Sequence, residues 1–263
     1  MAAVVAKIKQ KQIGVLIDKG KRLDGRGLTD YRDLKVEQGL IERAEGSARV
    51  HLGKTEIVVG TKVETGEPFS DTPNEGVLTV NAELVPLASP GFEAGPPDEN
   101  SIELARIVDR GIRESKMIDT EKLCLEAGKK VIVVFVDVYV LNHDGNLIDA
   151  SALAAVAALL NTKMPNYEYE DGEVKVKSGT TALPLSQHPV TVTFAKIGDK
   201  LVVDPQLEEE EVMDARISMA VDDDENICAI QKGGSGYFVP EQVLEASRLA
   251  VKKAKEIREK LDW

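Results

Sequence analysis

An arginine-rich segment is the part of this sequence whose residue types and spacing most directly suggest chemistry. Arg106, Arg110 and Arg113 occupy positions i, i+4 and i+7 within residues 99–116. With about 3.6 residues per turn, these positions share one face of an α-helix. Each planar guanidinium can donate two parallel hydrogen bonds to a phosphate group. The spacing therefore predicts a surface that holds successive phosphates of a nucleic-acid strand.

The same helix can also be interpreted as a solvated face with no ligand. Acids at helical spacing can pair with the arginines and neutralise them; they are Glu103, Asp109 and Glu114. Isoleucines elsewhere on the cylinder are expected to face a core; they are Ile102, Ile107 and Ile112. The pattern alone leaves both interpretations open.

The charge of the chain limits the kinds of nucleic-acid binding that it can support. The formal net charge is −12, which argues against binding over the whole surface. A local basic site remains possible, because charges are screened over about 8 Å at physiological salt. The acids are also concentrated, with ten of them and one arginine between Asp204 and Glu225. We therefore expect a polarised protein with a basic site on an otherwise acidic chain.

Cysteine content and hydropathy indicate a reducing, cytoplasmic location. Cys124 and Cys228 are too few for a disulfide framework, and no metal-type spacing surrounds them. No apolar run approaches the roughly 18 residues of a membrane span, and the N-terminus does not resemble a signal peptide. We expect neither a cofactor nor a metal ion.

The elements that must position these residues predict an α+β protein. An antiparallel meander is expected first, followed by the arginine helix, a buried β-branched strand, an alanine-rich helix and a second series of strands. The predicted strands are residues 34–41, 47–52, 55–63, 77–85, 130–141, 174–177, 190–197, 201–204, 212–221 and 227–232, and the central helix is residues 150–160. An N-terminal helix and arm (residues 1–33) and a C-terminal helix (residues 240–261) complete a predicted single domain, residues 1–263.

Two segments in this order resemble the ribonuclease PH family. Residues 22–32, RLDGRGLTDYR, are similar to the family's arginine-rich opening motif, and residues 103–113, ELARIVDRGIR, are similar to its arginine helix. The central strand, the alanine-rich helix and the acidic turn after Val203 follow in the family's order. Within the family, residues 96–106 and 141–151 are similar to the non-catalytic branch of archaeal exosome ring subunits.

The resemblance implies a fold, partners and an activity. The fold is the ribonuclease PH-like α+β fold, also found in the second domain of ribosomal protein S5, with mixed sheets and packed helices. The implied partners are a catalytic ribonuclease PH-like subunit in a three-plus-three hexamer, RNA-binding cap subunits and single-stranded RNA. The ring would degrade RNA from the 3′ end with phosphate. Arg106, Arg110 and Arg113 would then hold RNA phosphates.

The chain departs from active family members at the phosphate-binding turn. Active members place an arginine there, at the start of the central helix, and this chain has Ile148. No arginine occurs from Glu114 to Ala215, so a small shift of the alignment cannot restore it. An apolar side chain offers phosphate neither charge nor hydrogen-bond donor. We therefore expect this chain to be an inactive homologue.

The acidic turn after Val203 also differs from that of active family members. Active members have two aspartates six residues apart, whereas this chain has Asp204 and Glu210. We expect Asp204 to be a relic or a turn former, and the glutamate run around Glu210 to be a solvated loop rather than a metal site. The alternative is an active phosphorolytic exoribonuclease that uses Asp204. His51, His143 and His188 share no spacing, so we expect none of them to act as a ligand or base.

Overall fold

A computed structural model describes residues 2–170, 172–261 and 263, with side chains from Gln10 onward. The α-helices are α1 (Ala2–Asp18), α2 (Glu99–Glu114), α3 (Leu147–Leu160), α4 (Leu207–Glu210) and α5 (Pro240–Leu261), with a 3₁₀ turn at Thr120–Leu123. The strands are β1 (Leu34–Gln38), β2 (Gly46–Leu52), β3 (Thr55–Gly66), β4 (Val77–Leu84), β5 (Cys124–Glu126), β6 (Lys130–Asn142), β7 (Lys163–Glu170), β8 (Glu173–Ala182), β9 (Val190–Ile197), β10 (Lys200–Val203), β11 (Ala215–Val221) and β12 (Ile227–Gly233). The predicted α+β class is confirmed.

The first sheet is mixed because one of its strands arrives through a helical crossover. Its order is β1-β2-β3-β6-β4, with β5 on β6. The meander β1-β2-β3 is antiparallel, whereas β4 runs parallel to β6. Parallel neighbours need a long connection, and the chain supplies one through α2. This crossover places the arginine helix against β4.

The second sheet is antiparallel, and α3 lies between the two sheets. Its strand order is β10-β9-β11-β12, and β7 and β8 form a separate ribbon. All residues of α3 from Ile148 to Leu159 are buried, as expected for a helix that is apolar all round. The small side chains allow close packing: a Cβ on Gly46 of β2 would lie 2.4 Å from the Ala158 carbonyl oxygen. The N-terminus of α3 is thereby fixed between both sheets.

Three local expectations were wrong, each for a physical reason. Strand β7 was missed, because Pro165 near its start weakens the strand pattern, although Tyr167 and Tyr169 alternate with glutamates as in a half-buried strand. The strand predicted from residue 212 starts at Ala215, because α4 and its exit turn occupy the preceding residues. Ile102 is 48% exposed rather than directed into the core.

Candidate functional site

Helix α2 presents its arginines to solvent because its other face is anchored. The Asp98 carboxylate accepts a hydrogen bond from the Ser101 backbone N–H at 2.8 Å and caps the first turn. Leu104, Val108 and Ile112 are buried against the core. The opposite face therefore carries the arginines outward, as the spacing predicted.

Arg106 and Arg110 have no hydrogen bond or ion pair to any residue that the structure describes. Both are exposed and line a cavity of about 400 Å³ between α2 and strands β11 and β12. Thr191, Ser218 and Gln231 add polar groups to its walls. Two unpaired guanidinium groups one turn apart can bind anionic groups without first losing a protein partner.

Arg113 differs from the other two arginines because it is already paired. Its guanidinium donates to both Asp109 carboxylate oxygens, at 2.7 and 3.1 Å, and to the Leu78 carbonyl oxygen at 3.1 Å. The hydrogen bond to Asp109 raises the pKa of Arg113 above its ordinary value. The acid pairing expected of a solvated face is therefore present between Asp109 and Arg113, whereas Glu103 pairs with Arg216 instead.

The turn at the start of α3 lacks a free cation among the described residues. Asn146, with φ 52°, caps the helix, and Ile148 is buried in its first turn. Beside it lies a cavity of about 230 Å³, lined among others by Ile148, Glu210 and Arg216. Glu103 also lines this cavity and pairs with Arg216. An incoming phosphate would thus meet a neutralised arginine and a further carboxylate.

Asp204 is buried, and the described residues give its carboxylate five hydrogen bonds. Arg32 donates three of them, from its backbone N–H and Nε to Oδ2 at 2.9 Å and from Nη2 to Oδ1 at 2.7 Å. Arg26 donates to Oδ2 at 2.9 Å and Asn146 to Oδ1 at 2.7 Å. The backbone has φ 48° at this turn. This geometry supports the turn-former interpretation, because the carboxylate has little capacity left for a substrate.

The arginines of residues 22–32 hold the two turns together, a role that the sequence did not reveal. Arg22 Nε donates to the Glu209 carboxylate at 2.9 Å, and its Nη atoms donate to the carbonyl oxygens of Val203 and Asp204. Arg32 donates to the carbonyl oxygens of Asp144 and Gly145. The sequence does show three arginines in the arm and an excess of acids near residue 204. Nothing in either segment indicated that the two would pair with each other.

The expectation that the glutamate run is a solvated loop was wrong. Helix α4 folds the run so that its two middle residues are withdrawn from solvent while Glu208 and Glu211 stay exposed, and Glu209 is fully buried on Arg22. Glu210 is half-buried and accepts a hydrogen bond from the Asn146 backbone N–H at 2.9 Å. Burial raises the pKa of the Glu210 carboxyl to about 7, against the opposing effects of this hydrogen bond and of Arg216 and Arg32.

A second buried carboxyl, also missed from the sequence, supports the same turn. Asp149 is fully buried and accepts hydrogen bonds from the Tyr31 hydroxyl, the Asn146 amide and both the backbone N–H and the hydroxyl of Thr193. Burial raises the pKa of Asp149 to about 6, although these hydrogen bonds oppose the change. Asn146 therefore links Asp149, Asp204 and Glu210 in one network.

The remaining candidates have local partners. His143 stacks on Phe92 with ring centroids 5.3 Å apart, His188 pairs with Asp223, and His51 lies 3.9 Å from Glu56. Among the described residues, no group of three His, Cys, Asp or Glu side chains is placed to hold a metal ion. None of the described helices has the length and apolar character needed to cross a membrane.

The sequence matches two consecutive parts of one enzyme family. Residues 30–165 match domain 1 of the 3′ exoribonuclease family RNase PH, and residues 187–253 match domain 2. The chain belongs to the ribonuclease PH family. Both halves of that family's fold are present here in one chain, and the resemblance inferred from residues 22–32 and 103–113 is confirmed.

Relatives within the ribonuclease PH family are similar over almost their full length. The exosome complex component Rrp42 of Thermococcus kodakarensis is 55% identical over 260 residues, covering 98% of this chain and 96% of the relative. Rrp42 of Pyrococcus horikoshii is 56% identical over 257 residues, covering 97% and 94%.

Solved structures confirm the fold. An Archaeoglobus fulgidus exosome with RNA bound to the active site contains a chain that is 48% identical, with a TM-score of 0.91 and coverage of 98% and 99%. An archaeal exosome core contains one that is 43% identical, with a TM-score of 0.87 and coverage of 99% and 98%. Rice Rrp46, at 16% identity and a TM-score of 0.69, shows the fold alone.

Proposed function

We propose that the chain is a non-catalytic ring subunit of an exosome, which binds RNA and completes the active site of a catalytic ribonuclease PH-like partner. The observation that carries the proposal is the start of α3, where Ile148 and Glu210 stand and no unpaired cation does, among the described residues. Phosphorolysis needs a bound phosphate aligned with the scissile linkage. The partner would therefore supply the phosphate site and the acid.

The names and structures of the relatives support the assembly. The relatives are exosome components, and the two structures above 40% identity are an exosome with RNA bound to the active site and an archaeal exosome core. We propose the same setting for this chain: a three-plus-three hexamer with the catalytic subunit, RNA-binding cap subunits on the ring, and single-stranded RNA as substrate. A cytoplasmic location and a single ribonuclease PH-like domain over residues 1–263 remain predictions.

Within this function, Arg106 and Arg110 would bind RNA phosphates. Their support is geometric, because both are exposed, unpaired within the described residues and one helical turn apart. Arg113 belongs to the proposed set with a smaller contribution, since a phosphate would have to displace Asp109. Phosphates carry no base identity, so these contacts should be independent of RNA sequence.

The proposal is tested by measuring phosphorolysis with and without the catalytic partner. The purified chain, incubated with phosphate and a poly(A) strand, should release no nucleoside diphosphates. The reconstituted ring should release them from the 3′ end. Phosphate-dependent release by the chain alone, in material free of contaminating nuclease, would establish the alternative of an enzyme in its own right.

Charge reversal of the unpaired arginines tests RNA binding. In the reconstituted ring, Arg106→Glu with Arg110→Glu should weaken RNA binding. The slope of log affinity against log salt is negative, and it should become less steep by about 1.4, at about 0.7 per phosphate contact. Lys252→Glu with Lys255→Glu on α5 changes net charge equally and should leave the slope unchanged. An unaltered slope in the arginine variant, with intact assembly, would mean that this helix face is merely solvated.

A further inference from the structure

The N-terminus of α3 is a position at which proteins commonly hold an anion. The first backbone N–H groups of a helix have no partner within the helix, and the helix dipole favours negative charge there. In this chain a carboxyl group already lies at that position, and it is ionised above about pH 7. The Glu210 carboxylate oxygen Oε1 is 2.9 Å from the Asn146 backbone nitrogen, at the helix cap.

Backbone packing holds Glu210 in this place. Gly145, with φ 84°, lies so close to the following turn that a Cβ would be 2.5 Å from the Gln206 carbonyl carbon and 2.6 Å from the Pro205 carbonyl oxygen. The turn before α3 and the turn before α4 are therefore in direct contact. Glu209 points the other way, onto Arg22, and its partnership fixes the rotation of α4.

The length of the side chain is decisive at residue 210. A glutamate is one methylene longer than the aspartate expected from the family resemblance. With the backbone of the two turns in contact, that extra length carries the carboxylate to the Asn146 N–H. Nearby charges do not favour a second anion: Glu103 and Asp204 are negative, and Arg216 and Arg32 are paired with them.

We propose that the Glu210 carboxylate is the built-in occupant of the anion position at the start of α3, and that it excludes inorganic phosphate even when a cation is supplied there. The inference rests on the proposed function, in which this chain binds no catalytic phosphate. It adds that isoleucine in place of arginine at residue 148 is not the whole reason why this chain binds no catalytic phosphate. The internal carboxylate takes the place of the missing ligand and satisfies the helix cap without it.

A double-mutant cycle with inorganic phosphate tests this inference on the full chain at pH 8. The proteins are the wild type, Ile148→Arg, Glu210→Gln and the double variant, with binding followed by calorimetry. In Ile148→Arg, the new arginine should pair with Glu210 and give little phosphate affinity. Glu210→Gln should also bind phosphate weakly, because it supplies no cation. The two single variants should bind phosphate about as weakly as the wild type, and the double variant at least about tenfold more tightly than all three, a coupling of about 1.4 kcal/mol.

Two outcomes of this cycle would overturn the inference. One is Ile148→Arg binding phosphate as tightly as the double variant, since Glu210 would then exclude nothing. The other is a folded double variant that binds no better than the single variants. Neither outcome affects the proposed function, which is tested separately by whether the unmodified chain alone releases nucleoside diphosphates from RNA.

A second measurement does not require an arginine to fold at residue 148. The Asn146 amide resonance of the wild type should follow the ionisation of Glu210, with a midpoint near pH 7, and Glu210→Gln should remove this titration. The charged groups that face Glu210 are Arg216, Arg32, Asp204, Glu103 and His143. The His143 ring resonances are followed separately, because that imidazole lines the same cavity. The Asn146 side chain also donates a hydrogen bond to Asp149, whose pKa is raised to about 6. A residual titration near pH 6 would therefore belong to Asp149, whereas an Asn146 titration that keeps its midpoint near pH 7 in Glu210→Gln would contradict the proposed contact.

Discussion

Replacing Asp204 by asparagine separates a structural role from a catalytic one. The substitution keeps the shape of the side chain, and asparagine tolerates the left-handed backbone at φ 48°. It removes the charge that neutralises Arg32 and Arg26, and it puts an amide donor where only an acceptor fits. The variant therefore tests the buried carboxylate with little change in backbone strain.

The expected cost follows from the burial of the partners. Asp204 is fully buried and Arg32 is 7% exposed, so neither charge can regain water when the other is lost. Breaking a buried ion pair by removing one partner costs about 3–5 kcal/mol. Because native proteins are stable by only about 5–15 kcal/mol, this is a large part of the free energy of unfolding.

Urea unfolding measures this cost, with Asp109→Asn as the matched control. Asp109 also accepts two hydrogen bonds from one arginine, but that pair lies at the surface. The control should therefore lose less than about 1 kcal/mol. A free energy of unfolding for Asp204→Asn within about 1 kcal/mol of the wild-type value, at unchanged urea slope, would refute the reasoning that the network is a buried electrostatic clamp.

The same variant addresses chemistry in the reconstituted ring. If Asp204 does no chemistry, an assembled Asp204→Asn ring should degrade RNA at nearly the wild-type rate. Removal of a general acid usually costs about 10²-fold or more. A loss of that size in a ring shown to be intact would mean that this subunit takes part in the reaction.

Two further predictions concern the turn beside Asp204. Because burial raises the pKa of Glu210 from 4.5 to about 7, the folded state holds a proton that the unfolded chain releases, and stability should fall as pH rises from about 4.5 to 7. Glu210→Gln should remove roughly 2 kcal/mol of this fall, measured by urea unfolding at pH 5 and pH 8, and an unchanged pH profile would contradict the assignment. Gly145→Ala should lower the free energy of unfolding by more than about 2 kcal/mol, because the new Cβ would strain the backbone and clash with the turn before α4. The control Gly128→Ala, at φ 72° in open space, should lower it by about 1 kcal/mol through strain alone. Equal losses would show that the contact between the two turns is not tight.

Periodicity predicted the elements on which the proposed function rests. The arginine spacing placed α2 correctly, and the alanine-rich run located α3 to within a few residues of its start at Leu147. Both signals are local, because helical repeat and apolar content are properties of neighbouring residues. The family resemblance added the order of the sheets, which no local pattern contains.

The electrostatic network could not be predicted in the same way. Arg22 and Glu209 are 187 positions apart, and Arg32 and Asp204 are 172 apart. A run of four glutamates normally indicates solvent exposure, and only the arm arriving from the other end of the chain makes burial of Glu209 favourable. The sequence also could not show that Arg113 is paired while Arg106 and Arg110 are unpaired among the described residues. The pairing of Arg113 with Asp109 depends on side-chain rotamers.

The long separation between the arm and its acids has a consequence during synthesis. Arg22, Arg26 and Arg32 leave the ribosome first, and their carboxylate partners at Asp204 and Glu209 follow only after most of the chain has been made. At about 5–20 residues per second, the arm waits on the order of 10–40 s without its counter-ions. The arm, made long before its acids, is thus among the last segments to acquire its native contacts, and a nascent chain that ends before Asp204 should still have its arm open to trypsin.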